Sequence, residues 1–185
     1  MKPPLSIRII AGKFRGRKIE FVDQPDLRPT PNRIRETLFN WLAPVIQDAY
    51  CLDLFTGSGA LGLEALSRGA KHVAFIDQST QVIQQINKMI QKCEIKNAII
   101  QQATIPGIIP TLSKPYNIIF LDPPFHQDFI RVCCEWLEKQ DWVAPNAYLY
   151  IEAESTLNLL PISNHWKILR SKKAGQVGYH LLQKC

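Results

Sequence analysis

The chain has 185 residues, 46% of them apolar, which supports one sizeable core and leaves too little for two full domains. Its formal net charge of +6 argues for a polyanionic partner and against an acidic one. No apolar stretch approaches the ~20 residues that span a bilayer, and MKPPLSIRII has no signal-peptide core, so a cytoplasmic location is expected.

SIRIIAGKFRGRKIEF reads as two short strands around a basic, glycine-containing turn, a hairpin with Arg15 and Arg17 near its tip. It is too small to fold alone and must lean on the rest of the chain. After LRPTP the spacing turns helical, with Ile34, Leu38, Phe39 and Leu42 on one face from Asn32 to about Ile46 and Thr30 as a plausible N-cap before Pro31. Strands and helices then alternate. AYCLDLF, HVAFID, AIIQQA, YNIIFLD and AYLYIEAE read as strands; GALGLEALSRG, TQVIQQINKMIQKCE, a short proline-bounded turn of helix near IPGIIPTL, and FIRVCCEWLEKQ read as helices. Apolar strands separated by helices imply a parallel sheet covered on both faces. HWKILRSKKAGQVGYHLLQKC ends the alternation with two strands and a glycine-containing connection, an antiparallel hairpin. The expected fold is α/β, a mostly parallel seven-stranded sheet with a C-terminal antiparallel hairpin and a small N-terminal β-hairpin extension. Residues 1–30 form the basic extension and 31–185 the main domain.

Charge follows that division. Residues 1–35 hold nine Lys or Arg against three acids, and the remaining basic and acidic residues cancel. A basic appendage on a neutral body suits phosphate binding, with Lys13, Arg15, Arg17 and Lys18 as the RNA-contact candidates. A solvated basic surface serving solubility is the plainer alternative. The five cysteines show no C-x-x-C spacing and the four histidines no metal-ligand spacing, so no metal is expected.

Asp53-Leu-Phe-Thr-Gly57-Ser-Gly59-Ala-Leu-Gly62 lies where the first core strand turns into a helix, so backbone amides there can approach a ligand. The glycines match G-x-G-x-x-G, and Asp77 closes the next strand 20 residues after Gly57. That pattern also fits a dinucleotide-binding oxidoreductase. Electrostatics separates the two: a carboxylate at Asp53 would repel a pyrophosphate but suits S-adenosylmethionine, which carries a sulfonium and an ammonium. Asp53 could instead cap the loop by accepting backbone amides, with either ligand. Asp77 can accept from both ribose hydroxyls, or cap the following helix.

Asp122-Pro123-Pro124-Phe125 follows YNIIFL on the same carboxyl-end rim. Two prolines stiffen the turn, and the Asp122 carboxylate with the Pro123 carbonyl can accept both protons of an exocyclic base amine, aiming its lone pair at a methyl donor. Asp122 can also take the released proton. Phe125 can stack on the base. Read structurally, the prolines end a strand and Phe125 is a core aromatic.

With both motifs in view, the chain closely resembles the RsmD-type bacterial family that methylates the exocyclic N2 of a guanine in 16S ribosomal RNA. The resemblance is carried by RIIAGKFRGRKI, LRPTPNRIRETLFNWL, CLDLFTGSGALGLEALSRGA, IIFLDPPF and AGQVGYHLLQ. It implies a Rossmann-like class I methyltransferase acting on guanine 966 of 16S RNA or the small ribosomal subunit, as a monomer. It puts Asp53, Phe55, Gly57, Ser58 and Gly59 around the methionine part of the cofactor, Asp77 on its ribose, and Asp122 with Phe125 at the target base. Thr30, Arg33 and Thr37 become candidates for the cofactor carboxylate or the RNA, although Arg33 and Glu36 could equally pair on the helix surface. Ala103 stands where such enzymes usually carry Asp or Asn for the adenine amine, leaving backbone groups or Thr104 to that task. A DNA adenine-N6 or cytosine-N4 methyltransferase is the alternative within the same chemistry, and an RNA-binding assembly factor with a relict fold the alternative outside it.

Overall fold

The computed structural model describes residues 5–21, 29–109, 112, 114–125, 128–157 and 160–185. Strands β1 (Leu5–Arg8) and β2 (Lys18–Phe21) pair antiparallel as a separate hairpin. Helix α1 (Asn32–Leu42) leads into the main sheet, built from β3 (Tyr50–Asp53), β4 (His72–Asp77), β5 (Ala98–Gln102), β6 (Tyr116–Leu121), β7 (Val143–Glu154), β8 (Trp166–Ala174) and β9 (Val177–Lys184). Its order is β5-β4-β3-β6-β7-β9-β8. The first five of these run parallel, and β9 and β8 close the sheet antiparallel. The expected mostly parallel seven-stranded sheet with a terminal hairpin is therefore present, with the small hairpin beside it.

The parallel strands are apolar on both faces because both are covered. One core gathers Leu38 and Phe39 of α1, Leu63 of α2 (Ala60–Ser67), Ile86 of α3 (Thr80–Lys92) and the hairpin residues Ile9, Phe14 and Ile19. The other packs Ile130, Cys133 and Leu137 of α4 (Phe129–Leu137) against Ile119, Leu149 and Ile151. Every residue of α2 is buried, as expected of a helix sandwiched between the sheet and a second layer, here the hairpin. Four of the five free thiols, all but Cys185, are buried.

Three expectations need correction. α1 stops at Leu42, short of Ile46, because Pro44 follows in a turn. Pro31, not Thr30, occupies its N-cap position, with no side-chain cap bond. Residues 105–107 form bends and 108–109 are irregular rather than helical, while residues 110 and 111 of that segment lie outside the described residues: Pro106 and Gly107 sit where a helical turn needs an N–H donor and a good helix former. The basic segment's residues 22–28 lie outside the described residues.

From β3 the chain moves outward to β4 and β5, then returns across β3 to β6. Strand order reverses between β3 and β6, and a crevice opens at their carboxyl ends. Asp53 ends β3 opposite Phe120, and Asp122 follows β6 directly. The fold thus brings the two acids singled out in the sequence to one rim.

Candidate active site

The glycine loop is built by two carboxylates. Asp53 Oδ2 accepts the backbone N–H of Gly62 at 3.0 Å, the capping contact weighed in the sequence, and pins the first turn of α2. Asp77 Oδ2 accepts the N–H of Gly57 at 2.9 Å, and its Oδ1 accepts that of Ser79 at 2.8 Å. Asp77 therefore ties the loop to the end of β4 while keeping lone pairs for a ligand. The glycines have distinct reasons. Gly59 holds a left-handed φ of 76°, and a Cβ at Gly62 would fall 2.2 Å from the Phe75 ring. Ser58 is buried within the turn, its Oγ accepting from Ala60 N–H at 3.3 Å. Phe55 packs edge-on against Phe129, with ring centroids 5.6 Å apart.

Burial pushes the Asp53 carboxyl up to about 7; the Gly62 N–H pulls it down and the Asp77 charge adds to the rise. A buried acid this reluctant to ionise gains most from a cationic neighbour.

Across the crevice, Asp122 is half-buried and its Oδ2 accepts from the Thr30 hydroxyl at 3.4 Å. Thr30 is itself buried, so its hydroxyl serves Asp122 rather than the helix end. Burial, then the carboxyls of Glu152 and Asp53, hold Asp122 well above the usual carboxylate range. Pro123, Pro124, Phe125, Phe129, Leu157 and Pro161 line an adjoining open cavity of about 350 Å³. A mainly apolar wall beside a polar rim suits a planar base.

Glu152 was not legible from the sequence. It is buried at the end of β7 on the same sheet face as Asp122, since Leu121 is opposite Ile151. Tyr150 donates to its Oε1 at 2.9 Å. Burial raises its carboxyl, while hydrogen bonds from Thr30 and Tyr150 pull it down. The available signal was two acids at alternating positions ending an otherwise apolar strand, in IEAE. Glu64 was also missed. Fully buried in α2, it accepts the N–H groups of Ile10 at 2.8 Å and Ala11 at 3.0 Å, bonds Arg68 at 2.8 Å, and lies 3.5 Å from the buried Arg35.

The remaining candidates divide. Ala103 follows β5, its N–H bonded to the Asp77 carbonyl at 3.0 Å, and Thr104 is exposed beside it. Arg33 and Glu36 are exposed on α1, and the Thr37 hydroxyl donates to the Arg33 carbonyl at 2.9 Å, within its own helix. Lys13, Arg15, Arg17 and Lys18 are all exposed. Lys13 and Arg17 each stand 5.4 Å from the Phe14 ring. The hairpin tip is anchored at Ser67, where α2 ends, so these cations lie at the opposite end of α2 from the glycine loop. Among the described residues, no group of three or more His, Cys, Asp or Glu could hold a metal, and no helix is long and apolar enough to cross a membrane.

Comparison with known proteins agrees with this fold. The family model described as "Conserved hypothetical protein 95" matches residues 7–183. Ribosomal RNA small subunit methyltransferase D of Escherichia coli K12 is 46% identical over 178 residues, 96% of this chain and 90% of that protein. The Haemophilus influenzae protein of the same name is 42% identical over 181 residues, covering 96% and 93%. The solved structure of yhhF from Escherichia coli superposes with a TM-score of 0.89 at 45% identity, covering 97% of this chain and 98% of that one. With fold and near full-length similarity in agreement, the chain belongs to the Conserved hypothetical protein 95 family, that of the ribosomal RNA small subunit methyltransferase D proteins.

Proposed function

We propose that this methyltransferase modifies the exocyclic N2 amine of a guanine in 16S ribosomal RNA, guanine 966 by family resemblance, with S-adenosylmethionine as donor. The observation that carries the reading is the placement of Asp122, half-buried and held by Thr30, across the crevice from the Asp53–Gly62 loop and beside an aromatic-lined cavity.

The donor set suits the cofactor. Asp53 with Gly57, Ser58 and Gly59 would hold its cationic methionine part, Asp77 its ribose hydroxyls, and the backbone at Ala103 and Thr104 its adenine. When bound, the cofactor supplies an electrophilic methyl group. The chain's own residues do the rest. Asp122 and the Pro123 carbonyl accept the two N–H groups of the amine, which turns the nitrogen lone pair toward the crevice. Pro123 and Pro124 keep that turn rigid, Phe125 stacks on the base, and Asp122 accepts the proton released once the nitrogen has gained a substituent.

Labelled cofactor should be incubated with the protein and, separately, bare 16S RNA, small subunits and duplex DNA, and the modified nucleoside identified and mapped. N2-methylguanine in ribosomal RNA is the expected product. N6-methyladenine or N4-methylcytosine as the sole product overturns the reading.

A further inference from the structure

β8 is an edge of the seven-stranded sheet, and its nine residues include Lys167, Arg170, Lys172 and Lys173 but no acid. Residues opposite one another on neighbouring strands project to the same face. Lys172 is opposite Tyr179, Arg170 opposite Leu181 and Lys167 opposite Gln183. Tyr179 and Leu181 belong to the core that also holds α1 and the N-terminal hairpin, and the Trp41 ring of α1 stacks on Tyr179 at 5.5 Å. The register shifts between Ile168 and Arg170, and that bulge brings Lys167 into phase with the other two. Three exposed cations therefore line one face of the edge, over about 17 Å at ~3.3 Å per residue.

The strip also reaches the catalytic rim. Ala174, which ends β8, is opposite Val177, and Val177 is opposite Glu154, which lines the cavity next to Pro123 and Phe125. Lys173 Nζ donates to the Ser155 carbonyl at 2.6 Å and fastens the edge to the turn after β7. Charge that cancels along residues 36–185 is thus segregated by folding, on the same sheet face as the basic hairpin.

We propose that Lys167, Arg170 and Lys172 form a second RNA-contact strip, along which phosphates of the substrate lie while the target base occupies the cavity beside Asp122. The inference rests on the reading of the protein as a ribosomal RNA methyltransferase. Charge complementarity selects the occupant: three cations without an interleaved acid suit a phosphate backbone. Cations also shield edge strands from pairing with other chains, and the experiment separates that role from RNA contact.

Binding of 16S RNA should be measured across a salt series for the wild-type protein and for Lys167→Gln/Arg170→Gln/Lys172→Gln. The expected result is an affinity at least tenfold weaker at moderate salt, and a log–log salt slope shallower by about 2.1–2.7, from roughly 0.7–0.9 for each of three lost phosphate contacts. Calorimetric binding of S-adenosylmethionine should be unchanged. Should the triple variant fold poorly, Lys172→Gln alone should make the slope shallower by about 0.7–0.9. Unchanged affinity and slope overturn the strip, including the case where the variant merely self-associates. A wild-type protein that methylates guanine in RNA while the variants bind like wild type overturns this inference alone; a wild-type protein that neither binds nor methylates RNA overturns the proposed function as well.

Discussion

Asp122, directly after β6, and Glu152, near the end of the neighbouring parallel β7, lie on the same sheet face, and the Thr30 hydroxyl donates to Asp122. Two acids in one partly dry site cannot both ionise easily, so the rim is poised to welcome positive charge.

This poise gives a pH dependence. Asp53, Asp122 and Glu152 all hold their protons to higher pH folded than unfolded, chiefly through burial. The native chain therefore binds more protons than the unfolded one as pH climbs. The stability these groups contribute is full below the unfolded carboxyl range, about pH 4, and is lost as pH rises toward 7, the Asp53 value. Thermal melts of the ligand-free protein should show this contribution falling over that window, and Asp53→Asn should flatten it. The melting temperature gained from S-adenosylmethionine should be larger at pH 8 than at pH 5. An equal gain at both would refute the cation-seeking site.

Asp122→Ala should leave the cofactor affinity within a few-fold of wild type, because the glycine loop hangs on Asp53 and Asp77 instead. Turnover should drop by about 10²-fold or more, the scale of losing a positioned acceptor and proton acceptor. Thr30→Val, which keeps the shape and removes the hydroxyl, should give a smaller loss of the same kind. Single-turnover kinetics with separate calorimetric binding checks both, and unchanged turnover in Asp122→Ala would remove that residue from the chemistry.

How far the sequence reached depends on the range of each interaction. The alternation of apolar strands with helices, and the turns that end β3 and β6, are local signals, so Asp53, Asp77 and Asp122 were legible at their strand ends. Glu152 left only the faint local signal of two alternating acids in IEAE, because it matters through its register with Asp122; Glu64 acts through a hairpin more than 50 residues away and left none. Thr30 was read as a helix cap, and a contact 92 residues distant draws it elsewhere. The proline-bounded segment at 105–109 failed as a helix because short apolar runs between prolines lack a period long enough to arbitrate.

Arg15→Gln/Arg17→Gln tests the N-terminal hairpin. Both side chains are exposed at a tip whose backbone is held by Ser67, so the substitutions should not disturb the fold. RNA affinity should weaken and its log–log salt slope become shallower by about 1.4–1.8, two contacts' worth. A surface serving only solubility would show neither change. Circular dichroism melts would establish that the hairpin remains docked.

Glu64 is the residue on which that docking depends. Its carboxylate accepts the Ile10 and Ala11 backbone amides, binds Arg68, and faces Arg35, whose burial lowers its own pKa while Glu64 supports its charge. Arg35 in turn donates to the Arg8 carbonyl at 2.9 Å and to Asn32 at 2.6 Å, joining the hairpin to α1. Glu64→Gln keeps the volume but leaves a guanidinium buried without its counter-charge, and it can satisfy the two amides through only one oxygen. A loss of about 3–5 kcal/mol is expected, the cost of breaking a buried ion pair from one side. Denaturant unfolding measures the loss, and hydrogen exchange should show Ile10 and Ala11 losing protection before the strands of the main sheet. Uniform loss of protection throughout the chain would mean that the hairpin and the sheet unfold as one unit, with no separate docking step.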